Sequence, residues 1–406
     1  MKYLKTYGIV VALLLISASC DRKFEPAEQE NIKTITVDPE INSFTNLTEV
    51  FNSDYEVIQL ESKMQSLIGE IENIIITDSK IFILDSEKTC SAYIFKENGE
   101  FVSKLSAYGD GPNSYREIGN FFVDTIKKEV IISQTFPAVL FRFNYDGLLL
   151  GTKSIGEYAR TLERNSYGNL CLFTANVYSP SRSLLYSVII ADSNGVVKSL
   201  YRPVVRDDSK QSLFLSNNFT SFADSTSMIF PFCDTIFDIS KDSLKPKFVI
   251  SFGSHSVPKS FYNNNFKTPF GKLIKLLDKN DYAYCIEPFY ESLNYIFFYY
   301  VFNSKRNSLC FYSKKTGKIF NSSNYNNNID QIVHYFAASH FISNENKLIT
   351  PLPIYKLKRV LKKLQKDLSK EEFQSYYKKN KKLVDIAATA KNTDNPILII
   401  YKIKDF

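Results

Sequence analysis

A chain of 406 residues that is 44% apolar and 23% charged has ample material for a core, which excludes a globally disordered protein. The net charge of +7 is local: eleven Lys/Arg against three acidic residues between Lys356 and Lys382 give +8, the N-terminal Lys2 and Lys5 add +2, and the rest carries −3, which excludes a nucleic-acid surface spread over the molecule. Besides Cys20, the widely spaced Cys90, Cys171, Cys233, Cys285 and Cys310 are odd in number and form no Cys-x-x-Cys, which argues against a disulfide framework, a zinc ribbon and c-type haem.

In chain order, Lys2 and Lys5 precede the apolar run Tyr7–Ile16, and Ser17-Ala18-Ser19 lead into Cys20. The run is too short to span a bilayer, and the small residues before a cysteine have the form of a lipobox. Residues 1–19 therefore read as a lipoprotein signal peptide, resembling those of bacteria, with Cys20 as the acylated first residue of the mature chain; the alternatives are an ordinary signal peptide with an incidental cysteine and an anchor helix. One acyl chain holds a protein only marginally and each buried methylene contributes about 0.8 kcal/mol, so durable anchoring needs several chains on Cys20. The polar stretch 20–31 then reads as a lipidated tether.

Glu56–Leu60 and Ile81–Asp85 are strand-like. The turn dipeptides Asn98-Gly99, Asp146-Gly147 and Asn194-Gly195 follow, each between strand-like runs, with their glycines 48 residues apart. A further equal step reaches Ser243, inside a fourth hairpin at Phe237–Leu244. A fifth, Leu309–Phe320, turns at Thr316-Gly317 after a longer interval that must hold an insertion, and Pro396–Ile403 is a last strand with no hairpin partner after it. Repeats of this length, each able to supply four short strands, predict an all-β fold, a six-bladed β-propeller over 32–406. The last strand is expected to close the ring beside an N-terminal one such as Ile35-Thr36-Val37, hiding both edges.

The basic stretch has helical spacing. Leu357, Val360, Leu361, Leu364 and Leu368 form an apolar stripe among lysines, and Ser369-Lys-Glu-Glu372 has the form of a capping box that starts a second helix with Phe373, Tyr376, Tyr377, Val384 and Ala387 inward. A small helical hairpin is therefore expected at about 354–390, its lysines forming a solvated face or meeting anionic headgroups or an acidic partner.

Leu60-Glu61, Ile68-Gly69-Glu70-Ile71, Ile81–Asp85, Gly109-Asp-Gly-Pro112 with Tyr115, Asp234-Thr-Ile236 and Asp394-Asn-Pro-Ile397 resemble the six-bladed β-propeller lipoproteins of Gram-negative gut bacteria, with NHL-like repeats. The resemblance covers nearly all of the mature chain. It implies a propeller held in the cell envelope, at the outer membrane on its periplasmic or surface side, and it implies no particular chemistry. The family's Gly-x-Gly-Pro motif commonly continues with Gly-Glu before the tyrosine, where this chain has Asn113-Ser114.

Gly109, Gly111, Pro112 and Tyr115 form the candidate loop site. The glycines permit unusual backbone angles and Tyr115 can pack beneath the turn, so the same residues suit a plain inter-strand corner. No catalytic, metal-binding or cofactor-binding set is nominated: His255, His334 and His340 form no ligand pair, and Asp85, Asp124 and Asp238 sit at strand ends where carboxylates cap turns. Tyr282, Tyr284, Tyr290, Tyr299 and Tyr300 read as alternate strand faces, half core and half exposed, and are the best Tyr-rich surface candidates. The function expected is a binding or scaffold module of the envelope, the alternative a propeller lyase or hydrolase acting on an extracellular polymer. Expected partners are the membrane through Cys20 and an envelope protein or glycan, with no nucleic acid, and the chain is expected to act as a monomer.

Overall fold

A computed structural model describes residues 32–406 apart from 136, 175–185, 204–218, 223–224, 231, 266–267, 285, 287–288, 305, 333–340 and 344. The expected signal peptide (1–19) and tether (20–31) with Cys20, and Cys285, His334 and His340, lie outside the described residues. The chain is mostly β, in six antiparallel sheets.

Two strands come first, β1 (Lys33–Thr36) and β2 (Phe51–Gln59). Sheet I runs β3 (Asn73–Thr77), β4 (Lys80–Asp85), β5 (Ser91–Lys96), β6 (Phe101–Leu105), and sheet II runs β7 (Asn120–Asp124), β8 (Glu129–Gln134), β9 (Val139–Asn144), β10 (Leu149–Ser154). Sheet III runs β11 (Thr161–Arg164), β12 (Leu170–Phe173), β13 (Tyr186–Ala191), β14 (Val197–Pro203). Sheet IV runs β15 (Phe219–Phe222), β16 (Ser225–Ile229), β17 (Thr235–Ser240), β18 (Ser243–Ser251), with β1 added beside β18. Helices α1 (Lys259–Asn264) and α2 (Phe270–Lys279) fill the long interval that the turn period required. In sheet V, β19 (Ala283–Tyr284) and β20 (Phe289–Glu291) both pair with β21 (Tyr295–Phe302), which is followed by β22 (Arg306–Ser313) and β23 (Ile319–Ser322). Sheet VI has β24 (Phe341–Ser343) and β25 (Lys347–Leu352), then α3 (Ile354–Asp367), α4 (Lys370–Lys379) and α5 (Lys381–Thr389), then β26 (Ile397–Ile403) with β2 on its far side.

The partner expected for the last strand is corrected. Ile35-Thr36-Val37 adds to sheet IV, where the Val37 N–H donates to Ser251 O at 2.8 Å, and β2 pairs with β26, Tyr55 opposite Tyr401 and Val57 opposite Ile399. The choice follows apolar content. Phe51 and Val57 fill the cluster that β26 faces, whereas Ile35 and Val37 bury with Phe248 and Ile250.

Continuous apolar runs such as Ile81-Phe82-Ile83-Leu84 arise because these strands are buried on both faces. Side chains alternate across a strand, so Phe82 and Leu84 enter the cluster shared with sheet II while Ile81 and Ile83 enter the one shared with sheet VI. The same alternation joins II to III through Ile131 and Leu172, III to IV through Phe173 and Met228, IV to V through Ile250 and Tyr300, and V to VI through Phe311 and Tyr401. Each sheet is open, yet the sixth cluster returns to the first sheet.

The 48-residue period has a packing cause. Gly99, Gly147 and Gly195 take φ of 90°, 92° and 81° in the turns joining the third and fourth strands of sheets I, II and III. A Cβ on Gly99 would stand 2.1 Å from Gln59 O, on Gly147 2.9 Å from Lys104 O, and on Gly195 3.0 Å from Ile155 O. Each of these oxygens lies in or just past the last strand of the preceding sheet. The turn must therefore be a glycine twice over, for its backbone angle and for the close approach.

Leu357 and Leu361 are buried under α3, and Val360, Leu364 and Leu368 pack against the same cluster. Ser369 Oγ accepts from the Glu372 N–H at 3.2 Å and Glu372 Oε2 accepts from the Ser369 N–H at 2.8 Å, so the capping box forms. The expected helical hairpin is instead three helices, because Asn380 leaves helical geometry at φ −114°, ψ 32°. Its side chain holds the break: Nδ2 donates to Tyr376 O at 3.0 Å and Oδ1 accepts from Tyr55 Oη at 2.7 Å.

Candidate functional site

Polar side chains that packing does not demand collect on the first strands of the sheets. Asn73 on β3 donates from Nδ2 to Asn120 Oδ1 on β7 at 3.3 Å, and Asn120 Nδ2 donates to Leu162 O on β11 at 3.3 Å, so three successive first strands are linked side by side. At the end of β7, Asp124 receives Arg164 Nη1 of β11 at 2.5 Å and the Lys127 N–H at 2.9 Å. Burial pushes the Asp124 carboxyl up, but the Lys127 N–H and the Arg164 guanidinium outweigh it and hold the pKa below the ordinary value.

Glu163, the neighbour of Arg164, projects to the opposite face of β11 and stands across from Cys171. The residue keeps some open surface while its carboxyl is enclosed by protein. Burial raises its pKa to about 7, and the one hydrogen bond seen among the described residues, from the Arg164 N–H at 3.0 Å, does not offset that. Such a carboxyl holds its proton in the folded state and releases it at about 4.5 once unfolded. Its contribution to stability is therefore complete below pH 4.5 and lost as pH rises through 7. Glu163→Gln is expected to match the wild type in stability at pH 4 and to exceed it by about 2 kcal/mol at pH 8. Denaturant titrations at the two pH values check this, and a gap that does not grow with pH would mean the carboxyl is solvated.

A second polar set joins sheets IV and V. Glu291, buried at the end of β20, accepts from Lys247 Nζ at 2.9 Å, Lys314 Nζ at 3.0 Å and Ser227 Oγ at 2.7 Å. Desolvation raises its pKa, and the two ammonium groups with Ser227 more than reverse that, leaving it lowered. Its oxygens are thus committed to neighbours and the set reads as a structural clasp.

The predicted loop residues form the corner between β6 and β7. Tyr115 is fully buried, its Oη donates to Cys90 O at 2.9 Å, and its ring meets Phe141 edge-on at 5.0 Å. The Gly109 N–H donates to Tyr115 O at 3.1 Å and the Tyr115 N–H to Ala107 O at 3.0 Å, closing the loop on itself. Gly111 and Pro112 stand exposed at its tip, beside Asn113 at φ 63°. Asp85 and Asp124 accept turn N–H groups, while Asp238 lies 3.7 Å from Lys247. His255 Nδ1 lies 2.7 Å from Asp281 O. Of the Tyr candidates, Tyr282 and Tyr290 are half-buried, Tyr284 is buried against Leu273 and Leu277 of α2, and Tyr299 and Tyr300, expected half exposed, are buried because both faces of β21 are covered by neighbouring sheets. Sequence reasoning missed Asn120, Glu163 and Arg164; the signal was a charged pair inside the four-residue strand Thr161-Leu-Glu-Arg164. Among the described residues, no group of three or more His, Cys, Asp or Glu side chains is placed to hold a metal ion.

The family described as a domain of unknown function, DUF4934, matches residues 32–402. Among solved structures, the chain is similar to a candidate exported protein of Bacteroides fragilis at 20% identity and a TM-score of 0.71, over 92% of this chain and 100% of that one. It is also similar to a member of the DUF4221 family from Bacteroides vulgatus at 11% identity and a TM-score of 0.45, over 86% of this chain and 98% of that one. No curated protein matches.

Proposed function

The chain belongs to the DUF4934 family, and we propose that it is an exported, lipid-anchored six-bladed β-propeller that acts as a binding or scaffold module in the cell envelope. The observation that carries the reading is the order of the six apolar clusters, which join each sheet to the next and the last to the first. In a propeller the first strand of each blade lines a central channel, and loops at the channel mouth carry the specificity. Asn120, Asp124 and Arg164 would then stand on the strands at the channel, with the exposed tip Gly111-Pro112 on a connecting loop. The similar exported protein of Bacteroides fragilis agrees with an envelope location, and the leader, with Lys2 and Lys5 before an apolar run ending in Ser-Ala-Ser-Cys20, supports the anchor.

The anchor has a direct test. Cys20→Ala, expressed in a lipoprotein-processing host, is expected to lose palmitate labelling and to leave the membrane fraction; labelling or partitioning that survives the substitution defeats the lipoprotein reading. A propeller enzyme working on an extracellular polymer is the second reading, and it would need a carboxyl such as Glu163, with its raised pKa, to come within hydrogen-bond reach of the polymer. Polymer turnover by the wild type that disappears in Glu163→Gln would move the assignment to that class.

A further inference from the structure

Helices α3, α4 and α5 present an outward face that packing leaves unexplained. Of the eleven Lys/Arg residues from Lys356 to Lys382, all but Lys358 are exposed. Among the described residues, the one ion pair any of them makes is Lys381 with Asp385 at 2.6 Å. On α3, Lys358 and Lys362, Arg359 and Lys363, and Lys362 and Lys366 stand four residues apart on shared sides of the helix, where like charges repel and weaken it. The apolar side of α3 is already served by Leu357 and Leu361, so these cations are not there to pack. Tyr355, 51% exposed, stands at the start of the same helix, a ring with a polar tip of the kind that suits a boundary between water and lipid.

We propose that this face docks on a bilayer surface rich in anionic phospholipid headgroups. Cations spread over three helices match many dispersed and laterally mobile anions better than one fixed carboxylate or phosphate. The remainder of the chain, outside the leader and this stretch, carries −3, so attraction to a negative surface would turn these helices toward it. The proposal rests on the exported, anchored reading for the nearness of a bilayer, and its test does not use the anchor.

The chain from residue 20 onward, carrying Cys20→Ser and keeping every element described above, is mixed with neutral phosphatidylcholine vesicles and with vesicles in which phosphatidylglycerol replaces a third of the lipid. Sedimentation is expected with the anionic vesicles alone and is expected to vanish at high salt. The variant Arg359→Glu/Lys362→Glu/Lys363→Glu/Lys366→Glu is expected to bind about tenfold or more weakly. All four side chains are exposed, so its melting temperature should stay close to that of the parent, which separates lost binding from lost folding. Equal sedimentation with neutral vesicles, or binding that charge reversal leaves unchanged, overturns the proposal. So does a chain that ignores vesicles but binds an acidic polysaccharide through the same lysines. Palmitate labelling at Cys20 reads the anchor separately, so failure of one claim is distinguishable from failure of the other.

Discussion

Asp85→Ala is expected to lower the unfolding free energy by about 4 kcal/mol, read as a shift in the denaturant midpoint at constant slope. The side chain is fully buried at the end of β4. Oδ2 accepts from the Gly69 N–H at 2.7 Å and the Glu70 N–H at 3.2 Å, and Oδ1 accepts from the Lys88 N–H at 2.9 Å and the Thr89 N–H at 3.1 Å. Alanine leaves all four donors without this acceptor, and hydrogen bonds to a charged group contribute about 1.5–3 kcal/mol each, though not additively. Asp85→Asn is expected to recover part of the loss, since its one carbonyl oxygen can serve a single pair of donors. A loss below about 1 kcal/mol for Asp85→Ala would mean that water reaches the Gly69-Glu70 turn and replaces the carboxylate.

The second large effect is a contrast between two glycines of equivalent turns. Gly99→Ala is expected to cost about 3 kcal/mol: roughly 1–2 from the left-handed backbone and the rest from moving Gln59 O, which the new methyl would meet at 2.1 Å. Gly317 has φ 76° and no atom within 4 Å of its would-be Cβ, so Gly317→Ala is expected to carry the backbone cost alone, about 1 kcal/mol. Equal losses at the two sites would show that the sheet I turn can draw away from β2 and that the close approach is not a fixed contact.

What could be read from the residues divides along the range of the interactions. The Asn/Asp-Gly turns were legible because their chemistry is local, and their spacing carried the sheet count with it. The Ser369 capping box was legible for the same reason. The partner of β26 was not, because pairing between opposite ends of a chain depends on which apolar face fills the shared cluster, and both 35–37 and 51–59 are β-like. The break at Asn380 escaped because its stabilising bond comes from Tyr55, far away in sequence. The first-strand polar set was hidden for a related reason: Arg164 acquires meaning only when sheet III brings it to Asp124. The tyrosines of sheet V looked half exposed because alternation suggests a wet face; neighbouring sheets remove that face from Tyr299 and Tyr300, and α2 covers Tyr284.

The make-up of sheet VI also sets an order in time. Its last strand is β2, near the start of the chain, and its third is β26, near the end. A ribosome releases β2 long before β26 exists, so through synthesis β2 waits as an unpaired edge. Folding must then end with a search across nearly the whole contour length, the slow kind of contact formation. Loss of the last ten residues would therefore not trim a tail. It would remove β26, deprive both β2 and β25 of their partner, and leave a species that stays soluble only if something else covers those edges.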